Sequence, residues 1–529
     1  MNTFTAEGIA RALLIARRRS VALAGLLALA SLIAPEASAR SEAARVFSVA
    51  PDEKATPIER WYVVEMLGTP AGFMRVKEST TPELITTESQ QVLKLKQGGV
   101  ELKVEMSSVS TETVEGRLRS IRTVQDIGGG PIINEMVFKE DHIENIVDAN
   151  GERNVSKSPL PPGDYLSPGA ADRLIKAHIR EGKTAPIAVR TIFPGFGEGP
   201  VEIQRSTFVR TTIQLGGKQV DALATQMTVE GLPVTTTEYF DNSGELLGSD
   251  ATIGGLKVSN RLSTKAAALG ASRGVAPEIL LQTLIVPTGE PIKSPRTTRR
   301  ATLLLSVDDG RLDDLPSQGV QRFERVNEKS GRMTIDRSQT PAPANPEDAT
   351  NPRYLESSAI ISSADRQVAS LLKQALQNAT DDKPARAERL RRFVFDHISE
   401  KTFGVGFASA AEVANSKRGD CTEHAVLLAA LLRADGIPAR VATGLVYVDN
   451  LPGRDNGVFG FHAWAQALLE IDGKLRWIDL DAALSAEHAS DATHFGVALS
   501  HLSDNTLVEA MTPVAPLLGT LKVHVEAIE

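Results

Sequence analysis

Residues 419–424 read Gly-Asp-Cys-Thr-Glu-His, and a run of apolar residues follows them. Cys421 is the only cysteine in the 529 residues, so it cannot form an internal disulfide. A lone cysteine is either a small buried hydrophobe or a reactive thiol. Asp420 is a good helix N-cap, and Gly436 is placed to end the helix before Pro438. The stretch predicts a buried helix that begins at Cys421, where the positive end of the helix dipole would lower the thiol pKa.

Two strand-like segments downstream, residues 462–471 and 474–481, flank Asp472-Gly473. Asp-Gly between such segments is a strong signal for a two-residue hairpin turn. In a hairpin that is symmetric about this turn, Asp481 is the diagonal neighbour of His462 on the same face, within reach of a hydrogen bond. We therefore expect Asp481 to orient the imidazole of His462.

Asp479 is the competing carboxylate. The same register pairs Asp479 with Gln466, two rungs further from His462, so we prefer Asp481 unless a bulge shifts the strands. His424 lies one helical turn past Cys421. We interpret His424 as a structural neighbour rather than the base, because the oriented carboxylate belongs to His462.

Cys421, His462 and Asp481 thus form a candidate catalytic set. The thiol attacks an amide or ester carbonyl, the imidazole holds the thiolate as an ion pair and later protonates the leaving group, and the carboxylate orients the imidazole. The resulting acyl-thioester passes either to water or to an amine. The sequence does not separate these two outcomes, because acceptor choice depends on how water is excluded.

With these motifs the chain resembles the bacterial members of the transglutaminase-like superfamily, which are related in core chemistry to papain-like cysteine proteases. The resemblance covers residues 354–529 and implies a papain-like α+β core, with the cysteine on a helix packed against an antiparallel sheet. It also implies Asp481 as the third catalytic residue. The segments that carry it are Ser409-Ala-Ala-Glu-Val413, Arg418-Gly-Asp-Cys-Thr-Glu423, Gly436-Ile-Pro-Ala-Arg440, His462-Ala-Trp464 and Asp472-Gly-Lys-Leu-Arg-Trp477.

The chain departs from the family in its tryptophans. Animal transglutaminases use an upstream tryptophan as an oxyanion donor, and here none lies between Trp61 and Cys421, which argues against cross-linking of that type. We predict no metal and no cofactor. Residues 449–457 lack the ligand spacing of a calcium loop, and His142 and His178 are isolated.

The N-terminal part is predicted to be all-β and antiparallel. Residues 40–264 contain short segments of alternating polar and apolar residues separated by turn signals, with one helix at residues 168–181. Residues 265–337 are interpreted as a second β module or an extension of the first, and residues 279–286 and 302–307 are its strand-like pieces. We find no catalytic constellation in this region.

Residues 338–353 are rich in proline, alanine and polar residues and are predicted to be a linker. The transglutaminase-like domain, residues 354–529, should follow it. Amphipathic periodicity predicts helices at residues 365–378 and 383–399. Residues 506–528 are expected to close the domain as a helix and a strand. The chain is thus predicted to be multidomain, with an N-terminal β region and a C-terminal α+β domain.

The first 39 residues have the pattern of an export signal. Arg17-Arg18-Arg19 precede an apolar run at residues 21–34, and Ala37-Ser38-Ala39 offers small residues for cleavage. An uncleaved membrane anchor is the alternative, although the run is shorter than the ~20 residues of a spanning helix. We expect a periplasmic or secreted protein without a further membrane span.

The formal net charge of −8 and the scarcity of aromatic residues argue against nucleic-acid binding. Two functions remain. The first is an exported thiol enzyme, a protease or amidase or a transglutaminase-type acyltransferase, acting on a protein or peptide substrate. The alternative is a non-catalytic envelope protein that uses the C-terminal domain as a binding or assembly scaffold, because a motif by itself is not an activity.

Overall fold

The computed structural model describes residues 57–529 except residues 98, 129, 150–151, 193–198, 309, 403–407, 450–456 and 504–511. The predicted export signal, residues 1–39, lies outside the described residues. The described chain divides into two compact units: residues 57–95 with 103–277, and residues 96–102 with 278–529. We call them the N-terminal unit and the C-terminal unit. No helix within the described residues combines the length and apolar character needed to cross a membrane.

Antiparallel β structure dominates the N-terminal unit, as predicted. Its strands alternate buried and half-buried residues, as in β7, so one face packs on a core. In the part of the chain that the structure describes, fifteen strands belong to one sheet, in the order β8-β7-β6-β5-β4-β3-β2-β1-β15-β14-β13-β12-β10-β9, with β11 paired to β12. Their bounds are β1 Ile58–Met66, β2 Thr69–Thr80, β3 Leu84–Gln97, β4 Val100–Thr113, β5 Leu118–Asp126, β6 Ile132–Phe138, β7 His142–Ala149, β8 Glu152–Pro159, β9 Ile187–Ile192, β10 Pro200–Arg205, β11 Val209–Leu215, β12 Lys218–Val229, β13 Thr235–Phe240, β14 Leu246–Ile253 and β15 Leu256–Ser263.

The predicted helix of this unit is confirmed as α1, Pro168–Arg180. Ser167 caps it by accepting a hydrogen bond from the backbone N–H of Ala170 at 3.0 Å. The apolar side of α1 is buried, including Ile175 and Ile179. A second helix, α2, Lys265–Ala271, follows the last strand of the sheet.

The C-terminal unit is α+β, as predicted for residues 354–529. It contains five helices in the described residues, and its strands form two larger sheets and one short pair. The helices are α3 Leu280–Thr283, α4 Arg366–Ala375, α5 Lys383–His397, α6 Ala410–Ser416 and α7 Cys421–Ala434. The strands are β16 Thr288–Gly289, β17 Arg300–Val307, β18 Gln321–Asn327, β19 Ser330–Asp336, β20 Glu400–Lys401, β21 Arg418–Gly419, β22 Ala439–Val448, β23 Val458–Ile471, β24 Lys474–Leu480, β25 Phe495–Ser500 and β26 Leu521–Ile528.

Residues 278–337 belong to the C-terminal unit rather than to a separate module. Strand β17 pairs antiparallel with the C-terminal strand β26, with Leu303 opposite Val525, in a five-stranded sheet of order β16-β26-β17-β19-β18. The strand predicted at residues 279–286 is wrong in its first part, where the structure has helix α3. A short apolar run does not distinguish a strand from a buried helix turn.

The segment predicted as a linker, residues 338–353, packs against the C-terminal unit. The backbone N–H of Ala344 donates to the carbonyl of Leu475 at 2.7 Å, and the indole N–H of Trp477 donates to Asp348 at 3.0 Å. Two 3₁₀ turns, Pro346–Ala349 and Pro352–Tyr354, lie in this segment or at its end. This proline-rich segment is therefore an ordered part of the C-terminal unit rather than a free linker.

The fold around the candidate site is a central helix on an antiparallel sheet. Helix α7 is buried along almost its whole length, and it contacts α4, α5, α6 and strands β22 and β23. These strands belong to a four-stranded sheet of order β24-β23-β22-β25. The predicted closing strand is confirmed as β26, whereas part of the helix predicted before it lies outside the described residues.

Candidate active site

Helix α7 begins at Cys421, as predicted, and a reciprocal capping box fixes this start. The Asp420 carboxylate accepts from the backbone N–H of Thr422 at 2.8 Å, and Glu423 accepts from the backbone N–H of Asp420 at 2.9 Å. Gly419 precedes the cap with φ +153°, and a Cβ there would lie 2.3 Å from Cβ of Glu423. The position of the thiol is therefore set by backbone contacts on both sides of it.

The thiol of Cys421 is buried, with 3% of the residue exposed, and the backbone N–H of Ala463 hydrogen-bonds to it. Burial raises the pKa of this thiol well above its ordinary value, and the nearby Asp420 carboxylate raises it further. These two effects outweigh the predicted lowering of the thiol pKa by the helix N-terminus. A thiolate here needs a positive partner.

The carboxyl groups beside the thiol are themselves perturbed. Burial raises the pKa of Asp420 well above its usual range, and the charge of Glu423 adds to this effect. Burial also raises the pKa of Glu423. Because two adjacent buried carboxyl groups resist ionising together, the capping box retains a proton more readily than an exposed pair would.

The hairpin of β23 and β24 has the predicted register. Ile471 pairs with Lys474 and Gln466 with Asp479 around the Asp472-Gly473 turn, whose residues both have positive φ. Nε2 of His462 lies 2.9 Å from Oδ2 of Asp481, and both residues are buried. This strand register leaves the Asp481 carboxylate within hydrogen-bonding distance of the His462 imidazole.

Two imidazoles favour the ionised form of the buried Asp481 carboxyl. Burial would raise its pKa, but the imidazoles of His462 and His494 outweigh this effect and hold the pKa well below its usual range. The other carboxylate oxygen accepts from the backbone N–H of Ala483 at 2.6 Å. The buried guanidinium of Arg391 donates to the backbone carbonyl of Asp481 at 3.0 Å, so the main chain is held as well.

His494 is a site residue that the sequence did not indicate. Its Nε2 lies 3.1 Å from the same Oδ2 of Asp481 that His462 contacts, and its Nδ1 lies 3.2 Å from Oδ1 of Asp491. Burial alone would lower the pKa of His494, yet the Asp491 and Asp481 carboxylates raise it above the ordinary value. No periodicity connects residue 494 to the hairpin, because the intervening loop is irregular.

Residues 369–482 match the model of the transglutaminase-like superfamily. The matched range contains Cys421, His462 and Asp481. The chain carries a transglutaminase-like domain. Comparison with curated protein sequences gives no match.

Three solved structures are distantly similar to this chain. A β-barrel-like protein of a domain of unknown function from Brucella abortus is 10% identical, with a TM-score of 0.31, over 39% of this chain and 96% of that one. A candidate cysteine protease from Cytophaga hutchinsonii is 15% identical, with a TM-score of 0.23, over 44% and 82%. A candidate protease from Parabacteroides distasonis ATCC 8503 is 12% identical, with a TM-score of 0.18, over 56% and 69%.

In the transglutaminase-like domain, the Asp479 carboxylate binds neighbouring side chains of strand β23 rather than His462. Its Oδ1 accepts from the indole N–H of Trp464 at 2.7 Å and from the side-chain amide of Gln466 at 2.8 Å. The Trp464 ring stacks beside the His462 ring, with centroids 6.0 Å apart. Asp479 therefore fixes the indole that walls the imidazole, and it does not replace Asp481. His424 donates from Nδ1 to the backbone carbonyl of Asp420 at 2.5 Å, a contact of the structural kind expected for it.

One cluster of the described residues could hold a metal ion. The ligand atoms of His462, Asp481 and His494 lie within 4.8 Å of one another, and all three residues are buried. Two imidazoles and a carboxylate are ligands that suit zinc. Within the chain, the two imidazoles hydrogen-bond the same carboxylate oxygen directly.

Proposed function

We propose that the transglutaminase-like domain is a thiol enzyme that acts on amide or ester carbonyls of a protein or peptide. Cys421 is the nucleophile, His462 the acid–base group and Asp481 the orienting carboxylate. The observation that carries the proposal is the His462–Asp481 hydrogen bond of 2.9 Å on the strand whose Ala463 N–H contacts the Cys421 sulfur. It supplies an oriented base on the strand that contacts the only thiol of the chain.

The chemistry follows from these contacts. Because Nε2 of His462 is directed to Asp481, proton exchange with the thiol falls to Nδ1. The thiol proton moves to His462 and leaves a thiolate beside an imidazolium. Sγ of Cys421 then bonds to the carbonyl carbon, the bond from that carbon to the leaving amine or alkoxide breaks, and the imidazolium gives its proton to that leaving group. Buried surroundings disfavour an isolated thiolate, so the thiolate exists as an ion pair with His462.

The backbone N–H of Cys421, at the first position of α7, is the donor that we assign to the developing oxyanion. The adjacent N–H of Thr422 is directed to Asp420 instead. The acyl-thioester then passes its acyl group to water, in hydrolysis, or to an amine, in transfer. Release of the leaving amine is common to both outcomes, so incorporation of a fluorescent primary amine into the substrate marks transfer, and release of the leaving amine without incorporation marks hydrolysis.

The first test measures the rate of iodoacetamide labelling of Cys421 in the full-length protein as a function of pH. We expect wild type to label rapidly well below the free-thiol pKa of ~8.5. His462→Ala should lose this reactivity, whereas His488→Ala, which removes an exposed histidine of the same domain, should retain it. A labelling rate that rises only near the free-thiol pKa, and equally in all three proteins, would contradict the enzyme proposal.

A second candidate function is a non-catalytic scaffold in the cell envelope. The deep burial of Cys421 and its raised pKa favour this alternative, because they are also the properties of a cysteine that only fills a core. The same labelling experiment separates the two functions. A scaffold cysteine should react slowly and independently of His462, and the search would then turn to a binding partner.

We also propose that the protein is exported to the periplasm or secreted. The support is the basic, apolar and small-residue pattern of residues 1–39. Mass spectrometry of the chain isolated from cells should find an N-terminus at or near residue 40. A chain that retains residues 1–39 in a membrane fraction would instead indicate an uncleaved anchor.

A further inference from the structure

We propose that His494 is a positioning residue of this site, whose Nε2–H holds the Asp481 carboxylate in the orientation that serves His462. The inference rests on the proposed function for its catalytic meaning. It concerns a residue that lies beyond the matched range 369–482 and outside the Cys421–His462–Asp481 set.

One oxygen of the Asp481 carboxylate lies between two imidazoles. Oδ2 receives two imidazole nitrogens, Nε2 of His462 at 2.9 Å and Nε2 of His494 at 3.1 Å. The ring centroids of the two histidines are 5.8 Å apart at an interplanar angle of 64°. The two rings therefore approach one oxygen from different directions. Oδ1 of the same carboxylate accepts from the Ala483 N–H, so His494 is the second donor on Oδ2 and fixes the direction in which Oδ2 faces His462.

His494 is itself held by Asp491 and by packing against Trp464. Its Nδ1 lies 3.2 Å from Oδ1 of Asp491 and 3.3 Å from the backbone N–H of Asp491. Asp491 is fixed in turn by the hydroxyl of Thr493, which donates at 2.5 Å, and by an ion pair with Arg296 at 2.7 Å. His494 is also packed edge-on against Trp464, with centroids 5.4 Å apart.

Nε2–H of His494 can therefore donate to Asp481 whether Nδ1 accepts a hydrogen bond or donates one. When the ring is neutral, Nδ1 can accept from the Asp491 N–H, and when the ring is charged, Nδ1–H can donate to the Asp491 carboxylate. Both forms leave a proton on Nε2. A chain of hydrogen bonds thus runs from Asp491 through His494 and Asp481 to His462, in the way that outer partners orient the ligands of a catalytic centre.

The test compares two amide variants in the full-length protein. The amide of His494→Gln reaches the place of Nε2 and can still donate to Asp481, whereas that of His494→Asn reaches only the place of Nδ1. The ring ¹⁵N shifts of His462 report its tautomer, and iodoacetamide labelling reports Cys421. His488→Gln, at an exposed histidine of the same domain, is the matched control.

We expect His494→Gln and the control to keep the His462 tautomer and the labelling rate of wild type. His494→Asn should change the His462 shifts and slow labelling by about tenfold or more. His462 spectra that are the same in wild type and both variants would overturn the inference, and so would an equal disturbance by Gln and Asn, since a merely structural histidine gives either result.

Wild type provides a further test that needs no folded variant. The ¹⁵N spectrum must show a protonated Nε2 on His494, and a bare Nε2 there overturns the inference. Failure of the proposed function is distinguishable from this result. In that case Cys421 of wild type labels as an ordinary thiol, while the His462 and His494 spectra still decide whether His494 holds the carboxylate.

Discussion

Among the described residues, the carboxylate at position 481 receives three hydrogen bonds, two from imidazoles on Oδ2 and one from the Ala483 N–H on Oδ1. Asp481→Asn replaces one oxygen with an amide donor, which opposes the Nε2–H groups and favours the wrong His462 tautomer. We expect the labelling rate of Cys421 at neutral pH to fall by at least about tenfold.

Asp479→Asn is the matched control for that substitution. An asparagine at 479 keeps an oxygen that can accept from Trp464 and Gln466, so labelling should change by less than about threefold. Equal losses in the two variants would mean that the hairpin as a whole, rather than the Asp481 carboxylate, supports the thiol.

Asp491 gives a prediction for the pH dependence of stability. Burial opposes its ionisation, but His494 and Arg296 lower its pKa from 3.8 to about 2. A carboxylate whose pKa is lower in the folded state stabilises that state above the unfolded pKa, and this contribution is lost as the pH falls through the folded pKa. The shift corresponds to about 2 kcal/mol, lost between about pH 4 and about pH 2.

The measurement is urea unfolding of wild type and Asp491→Asn at intervals over this pH range. The free energies of unfolding should differ most near pH 5 and converge as the pH approaches 2. Asp381→Asn, at an exposed carboxylate, should follow wild type throughout. A constant difference between wild type and Asp491→Asn across the range would show that ionisation of Asp491 does not stabilise the fold.

The sequence predicts a site residue when regular spacing along a strand places it. It does not predict a pKa that depends on how deeply the group is buried. His462 and Asp481 follow from two-residue alternation about a recognisable turn. His494 reaches Asp481 through an irregular loop, so no spacing rule connects them. The thiol was expected to be acidified by its helix, but the sequence does not reveal how deeply Cys421 and its neighbouring carboxyl groups are buried.

At the scale of elements, the N-terminal cap of helix α7 sets the position of the Cys421 thiol. A methyl group at residue 419 would overlap Glu423, which is the partner of Asp420 in the capping box. Gly419→Ala should therefore lower the free energy of unfolding by about 3 kcal/mol, combining overlap with loss of the cap. It should also change the reactivity of Cys421, because the thiol follows the cap directly.

Gly436→Ala is the matched control at the other end of the same helix. Gly436 has φ +70° and a Cβ there would contact nothing within 4 Å, so the cost should be about 1 kcal/mol from backbone strain. Thermal unfolding and iodoacetamide labelling measure both effects. Unchanged thiol reactivity in Gly419→Ala would show that the capping box does not influence the reactivity of Cys421.

Elements with local signals were predictable in this chain. Helix α1 and helix α7 have side-chain caps that are legible in the sequence, and the Asp472-Gly473 turn sets its own hairpin. Helix α3 was mistaken for a strand because a run of four helical residues is too short for its period to show. The correct predictions rest on caps and turns that the sequence marks, whereas the four-residue helix is too short to show a helical period.

At the scale of the molecule, the domain boundary depends on a pairing that no local signal encodes. Strand β17 pairs with β26, more than two hundred residues later, and β16 borders β26 on its other edge. A boundary drawn at the proline-rich segment cuts this sheet. We therefore predict that a fragment of residues 278–529 folds, whereas a fragment of residues 354–529 does not.

The physical reason is the environment of β26. Its inward residues Leu521, Val523 and Val525 are buried, and removal of residues 278–353 deletes all the other strands of its sheet. A strand with one apolar face and two open edges favours aggregation. Residues 96–102, which group with this unit, are absent from both fragments, so the comparison isolates the five-stranded sheet.

Size-exclusion chromatography and circular dichroism should find a monodisperse, cooperatively unfolding fragment for residues 278–529, with the Cys421 labelling profile of the full-length protein. The fragment of residues 354–529 should aggregate or unfold without a transition. If the shorter fragment instead folds and labels like the full-length protein, the five-stranded sheet is dispensable to the transglutaminase-like domain. The proline-rich segment would then be a true boundary, since the contacts of Ala344 and Asp348 would contribute nothing that the site requires.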